Sequence, residues 1–142
     1  AGRTASDGLW RARGLAEASP SAVHVAMSNT LSTPAEALEL GYPLRVERHA
    51  LRLGSGGAGA HHGGDGVVRE MRVLEPCRLS LVSERRRHAP QGAAAGEPGL
   101  AGRDFVNGEP LPAKVTRSLE AGDLVRVETP GGGGFGPVQS GQ

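Results

Sequence analysis

Four consecutive glycines, Gly131-Gly132-Gly133-Gly134, stand between Thr129-Pro130 and Phe135-Gly136 in a chain with 23 glycines and 10 prolines among 142 residues. Glycine weakens a helix and proline breaks one, so nearly a quarter of the chain works against long helices and toward short strands joined by turns. An all-helical bundle is excluded. The length admits one ordinary domain. Its 15 leucines, 12 valines and 2 phenylalanines, with no isoleucine, make 29 large hydrophobes, about a fifth of the chain, so the core must be thin. That level signals disorder only in a highly charged chain. Here 16 Lys and Arg face 15 Asp and Glu, and collapse is not opposed.

Several classes drop out. No run approaches the roughly 18 apolar residues of a membrane span, and the first residues lack the basic-then-apolar layout of a secretion signal. The expectation is a cytoplasmic protein without a membrane partner. The one cysteine, Cys77, can make neither an internal disulfide nor a thiolate cluster, and its neighbours place it in a strand as an inert thiol. The cations are 15 Arg and Lys114, the net charge is +1, and the four aromatics are Trp10, Tyr42, Phe105 and Phe135. A nucleic-acid partner would require a basic face with interleaved aromatic platforms, so none is expected.

Residues 1–22 are polar and aperiodic and read as a poorly ordered arm or the edge of an upstream domain, 23–137 as a β-rich domain, and 138–142 as a flexible tail. Thr33-Pro34-Ala35-Glu36 has the form of a capping box, with a hydroxyl cap, proline at the first helical position and Glu three residues on; it predicts a short helix through Leu40 that ends at Gly41. Period-two alternation then gives Leu44 and Val46 one phase and Leu51 and Leu53 the other, which requires a bulge or break near Arg48-His49-Ala50 and two strand pieces. Residues 67–74 and 77–82 read as strands joined by a hairpin-like reversal at Glu75-Pro76, with Met71, Val73, Leu79 and Leu81 in the core. Residues 90–102 form a long loop lying over some other part. Asn107-Gly108 is a tight turn, 115–119 a strand, and Ala121-Gly122-Asp123 a turn into a strand at 124–128. The expected fold is mostly β, about six short strands joined by glycine-rich loops, with one short helix.

Candidate chemistry is sparse. Neither glycine loop, 54–66 or 131–136, ends in the Gly-Lys-Ser/Thr that holds phosphates and magnesium, so this chain is not expected to bind a nucleotide. His61-His62-Gly63-Gly64-Asp65 supplies metal-ligand types, but adjacent histidines on extended backbone point to opposite faces and two glycines leave Asp65 unfixed; a turn in which Asp65 bonds backbone is favoured, with no metal. Glu84-Arg85-Arg86-Arg87-His88 is the strongest charge run, and Arg85, Arg86 and Arg87 are the candidate anion or substrate clamp, set against a solvated strand end. No catalytic residue is nominated.

The order of the short blocks resembles a known family. Ser28-Asn29-Thr30, Thr33-Pro34-Ala35-Glu36, Tyr42-Pro43-Leu44-Arg45-Val46-Glu47-Arg48, Ser55-Gly56-Gly57-Ala58-Gly59, Gly63-Gly64-Asp65-Gly66, Ser83-Glu84-Arg85-Arg86, Gly96-Glu97-Pro98-Gly99 and the final glycine block follow one another as in the hydantoinase B/5-oxoprolinase family, over roughly residues 24–137. The resemblance implies the C-terminal portion of a larger B subunit that works with a hydantoinase A-type partner and with its own upstream part. It implies hydrolytic opening of a cyclic amide with ATP, in which phosphorylation turns a poor carbonyl electrophile into one with a leaving group. ATP and a divalent metal are then expected in the complete complex, the nucleotide on the A partner and the metal ligands upstream, with this chain inactive alone. Asp65, Gly132, Gly133 and Gly134 are the expected loop or interface residues. The sequence departs from the family pattern at His62, where Arg is usual, at Ala95-Gly96, at Pro137 and in the longer stretch from His24 to Thr30. The runner-up is a stand-alone non-catalytic binding module or an inactive truncated gene product.

Overall fold

The computed structural model describes residues 21–22 and 32–138. Most of the expected arm, the block Ser28-Asn29-Thr30 and all of the tail but Val138 lie outside them. The elements in chain order are α1 (Ala35–Gly41), β1 (Leu44–Arg52), β2 (Gly66–Val73), β3 (Cys77–Val82), β4 (Arg103–Val106), β5 (Glu109–Pro110), β6 (Lys114–Leu119) and β7 (Leu124–Glu128). Among the described residues the fold is mostly antiparallel β with one short helix. A five-stranded sheet has the order β1-β2-β7-β4-β5, and β3 pairs with β6 in a second sheet.

The helix lies where proline punctuation put it, but without the capping box. Pro34 itself occupies the cap position, and no side chain caps the helix. That leaves Thr33 one residue too early for its hydroxyl to serve the first turn. Further along the helix, the Glu39 carboxylate accepts the Val46 N–H of β1 at 2.8 Å. β1 is one strand, not two pieces. Its register slips between Val46 and Arg48, so Glu47 is the extra residue of a bulge. Beyond the bulge Ala50 and Arg52 are half-buried, while Leu51 and Leu53 are 44% and 80% exposed. Their phase is therefore opposite to the one expected, because a polar group, the Arg52 guanidinium, takes the inward place.

Glu75-Pro76 does not close a hairpin. Both sides of β2 are already occupied, by β1 and β7, so the chain leaves this sheet and starts β3 of the second one. Arg103–Val106 is a strand that the residue pattern left unassigned. It leads into Asn107-Gly108, whose φ values of 51° and 82° are the left-handed pair of a two-residue hairpin turn.

The two sheets close over a small core. Val73, Val106, Leu119 and Val125 are buried together, and Leu44, Met71, Cys77, Leu79, Leu111 and Val127 pack against them. Leu81, expected among them, is half-buried further along β3. Beyond one end of the larger sheet, segments 55–64, 90–102 and 129–136 converge with almost no side chains between them. A Cβ on Gly131 would land on the Ser55 carbonyl, and one on Gly133 on the Gln91 carbonyl.

Gly131→Ala is accordingly expected to destabilise the chain by about 2 kcal/mol or more, the upper range for forcing extra atoms into a filled space. Gly41→Ala, at a helical position with open space around the new methyl, is expected to be neutral or stabilising by up to about 1 kcal/mol. Urea denaturation of both variants beside the parent checks the pair; equal midpoints would show that the glycine segments are not in backbone contact.

Candidate functional site

The glycine junction is bonded on both sides of its central strip. Gly57 donates its N–H to Gly132 O and Gly132 to Gly64 O, both at 2.8 Å, while Gly134 donates to Glu97 O and Ala93 to Gly134 O, both at 2.9 Å. Gly131 N–H reaches Leu100 O at 3.1 Å. His61 and Phe135 exchange backbone bonds at 2.9 Å each way, and their rings lie 6.1 Å apart. The strip thus serves as a strand between two loops, where any side chain would hold the backbones apart.

Polar side chains tie the junction to the sheet. Ser55, fully buried, accepts the Gly66 N–H at 2.9 Å. Thr129 Oγ1 accepts the Val67 N–H at 2.7 Å. Arg52 donates from Nη1 to Ala101 O at 2.8 Å and Thr129 O at 3.1 Å and pairs through Nη2 with Glu128 at 3.2 Å. One guanidinium therefore joins the end of β1, the 90–102 loop and the exit of β7. Burial lowers the Arg52 pKa; Glu128 opposes that, and Arg103, Arg86 and Arg126 add to it by repulsion.

Asp104 anchors a second tie. Its carboxylate receives Arg86 Nε at 2.8 Å and Nη2 at 2.7 Å and the Ser83 hydroxyl at 2.7 Å. Its side chain is 1% exposed and that of Arg86 11%, so this is a buried two-pronged ion pair. Arg86 also bonds Glu84 O at 2.7 Å, and Gly102 N–H reaches Arg85 O at 2.9 Å. Of the three arginines nominated as a clamp, Arg86 is turned inward onto Asp104, while Arg85 and Arg87 are exposed.

The other nominated residues fall within the junction or at its border. Asp65 accepts the Gly56 N–H at 2.8 Å, a turn role. Gly132, Gly133 and Gly134 are buried. His62 Nδ1 lies 2.8 Å from Gly63 O, and among the described residues no three His, Cys, Asp or Glu side chains gather as a metal site. On the outer face of β2, β7 and β4, Glu70, Phe105, Leu124, Arg126 and Glu128 line an open groove of about 390 Å³. No helix among the described residues is long and apolar enough to cross a membrane.

This geometry belongs to a known family. The family described as Hydantoinase B/oxoprolinase matches residues 14–138. The chain belongs to the hydantoinase B/oxoprolinase family. It is 43% identical to 5-oxoprolinase 1 of Arabidopsis thaliana over 121 residues, covering 82% of this chain and 10% of that protein. It is 34% identical to the putative B subunit of a D-/L-hydantoinase from Pseudomonas sp., covering 81% of this chain and 21% of that one. The crystal structure of ATP-dependent caprolactamase from Pseudomonas jessenii superposes with a TM-score of 0.67 at 26% identity, over 78% of this chain and 21% of that one. This hydantoinase B chain therefore spans about a tenth to a fifth of the length of the relatives it matches.

Residue patterns missed Arg52, Asp104, Glu128, Ser55 and Thr129, the side chains that bind the junction of this hydantoinase B domain to its sheet. The Asn107-Gly108 turn was the available signal, since a two-residue hairpin requires a strand before it and would have brought Asp104 into view.

Replacing Arg86 by Met leaves the Asp104 carboxylate buried without its cation and is expected to cost about 3–5 kcal/mol; Arg86→Met with Asp104→Leu together should recover most of that loss. Denaturation curves of the single and double variants measure it, and a mild single variant would mean the pair is hydrated. Glu47, gripped by Arg72 at 2.7 and 2.9 Å and by Arg45 at 3.2 Å, has its pKa lowered from 4.5 to about 2, chiefly by the Arg72 hydrogen bonds. A depressed carboxylate stabilises the fold fully above its unfolded pKa, and that contribution is lost as the pH falls through the folded one. Thermal melts should therefore lose stability between pH 4.5 and about 2, and Glu47→Gln should flatten that part of the curve.

Proposed function

We propose that this chain is the C-terminal part of the B component of an ATP-dependent cyclic amidase and serves it as a rigid structural and interface domain. The observation that carries the reading is the junction itself, three loops fused backbone to backbone and fastened by Arg52 and the Arg86–Asp104 pair. Such a construction resists deformation and offers a surface of fixed shape, which is what an interface needs and turnover by loop motion does not. The family membership, the hydantoinase relative from Pseudomonas sp. and the ATP-dependent caprolactamase support the same reading.

On this reading the upstream part of the B polypeptide and a hydantoinase A-type polypeptide are the partners, in the cytoplasm. ATP and a divalent metal are held by those parts, and the chemistry is hydrolysis of a ring amide. The substrate class is the one named by the relatives, 5-oxoproline or a related lactam or hydantoin. Asp65 and the Gly132–Gly134 strip act in the interface indirectly, by fixing the loops whose outer surfaces meet the partner.

The test is reconstitution with 5-oxoproline as the probe. The chain alone should give no glutamate from 5-oxoproline and ATP, the remaining B polypeptide with the A-type polypeptide should be inactive or strongly impaired, and the three together should turn over. Cleavage by the isolated chain, or full activity of the partners without it, would overturn the reading; a chain that assembles with neither partner would be a stand-alone module.

A further inference from the structure

We infer that Asn107 is a spontaneous deamidation site, held in check by Asp123 and Leu124, whose conversion parts the β4–β5 hairpin from the turn that leads into β7. Asn107 and Gly108 are both exposed at the tip of that hairpin, with φ values of 51° and 82°. Glycine sets no side chain against attack by its own nitrogen, and a Cβ on Gly108 would meet nothing within 4 Å. Among the described residues the Gly108 N–H makes no hydrogen bond, so the nucleophile is neither crowded nor engaged.

The reaction needs only water. Gly108 N gives up its proton to solvent base and bonds to Asn107 Cγ, the Cγ–Nδ2 bond breaks, and Nδ2 takes up a proton to leave as ammonia. Water then opens the cyclic imide at either carbonyl, and nothing is oxidised or reduced. Opening at one carbonyl gives aspartate. Opening at the other gives isoaspartate, whose main chain is lengthened by the former side-chain carbon.

The fold resists the first step. Asn107 Nδ2 donates to Asp123 Oδ1 and the Leu124 N–H donates to Asn107 Oδ1, both at 2.8 Å, while the Asn107 N–H reaches Leu124 O at 2.9 Å. Both ends of the side-chain amide are thus fastened to residues 123 and 124, and Cγ is free to meet Gly108 N only when they let go. Asp123 is itself fixed, since its Oδ2 accepts the Glu120 N–H and its carbonyl the Val73 N–H, both at 2.9 Å. The Asn107 bond is the chief reason the Asp123 carboxyl lies below its ordinary range, with the Glu120 N–H adding to it. The carboxylate therefore stays ionised at neutral pH, and the grip is charge-assisted.

Conversion turns the grip into repulsion. Aspartate at position 107 puts a second carboxylate where the amide donor stood, against Asp123. The seam so opened lies beside the core, because Val106 and Val125, the register partners next to Asn107 and Leu124, are both buried. Isoaspartate also breaks the two-residue geometry of the turn.

The test follows the amide-to-acid mass gain in tryptic peptide 104–114 after incubation of the full chain, Asp123→Ala and Asp123→Asn in mildly alkaline buffer, beside the isolated peptide. The isolated peptide and Asp123→Ala should convert at least about tenfold faster than the parent, the factor lost with one charge-assisted hydrogen bond, and Asp123→Asn, which keeps an amide oxygen as acceptor, should stay within about threefold. Melting temperatures give an independent reading. Asn107→Asp should melt at least about 4 °C below the parent, and Asn107→Asp combined with Asp123→Asn, which restores a donor facing an acceptor, should recover most of that loss. A parent chain that never accumulates acid, one that converts as fast as the isolated peptide, or an unchanged rate in Asp123→Ala overturns the inference. So does an Asn107→Asp chain that melts with the parent. Should Asp123→Ala fail to fold, the comparison of parent with peptide and the exchanged pair still decide it.

Discussion

The rest of the structure depends on close approach between main chains at residues 131–134. Backbone segments can pack at hydrogen-bonding distance without belonging to a regular sheet only where side chains are absent from the shared faces. The strip meets this condition on two opposite sides, since it donates to and accepts from the 55–64 loop on one and the 90–102 loop on the other. The cost is that glycine contributes no apolar surface and loses the most conformational freedom on ordering. The junction must therefore be held by hydrogen bonds and by whatever side chains can reach it from outside.

That requirement accounts for the placement of the charges. Four buried hydrophobes form the centre of the core, all of them between the two sheets and none in the junction. Burying a guanidinium costs several kcal/mol unless a carboxylate and further acceptors compensate it. Arg52 has both, a carboxylate in Glu128 and two carbonyl oxygens from different loops. Asp104 has the complementary arrangement, with donors from Arg86 and Ser83. The Arg52–Glu128 pair sits where an apolar staple could not satisfy the carbonyls that the 90–102 and 129–136 segments bring with them, while the Arg86–Asp104 pair satisfies Ser83 and the Glu84 carbonyl.

Much of this architecture was legible in the residues, and the parts that were not share a cause. Glycine and proline spacing located α1, the turns and the long loop, because those residues act through their own backbone. The block order located the family. Register and pairing were read less well. Leu51 and Leu53 looked like a core face because alternation counts hydrophobes, whereas the inward position belongs to Arg52, whose burial depends on Glu128 some 76 residues further on. Glu75-Pro76 looked like a hairpin because local turn chemistry is silent on whether the neighbouring strand's edges are free; β1 and β7, far apart in sequence, take both edges of β2. Likewise Arg86 cannot be told from Arg85 and Arg87 in a run of like charges. Asp104 selects it, through a strand of four residues with a single phenylalanine and a single valine as its apolar signal.

The same non-local pairing that hid Arg86 divides the run into two roles. A uniform cluster of three arginines would repel itself and stay mobile in water. Anchoring the middle member to a buried carboxylate cancels one charge, fixes the backbone on either side and leaves the flanking two projecting from a defined frame. Gly102 completes the arrangement, since a Cβ there would strike the Arg86 side chain. A glycine chosen for contact, a left-handed arginine and a buried aspartate thus serve one local end. The junction applies the same logic on a larger scale, trading side chains for fixed geometry.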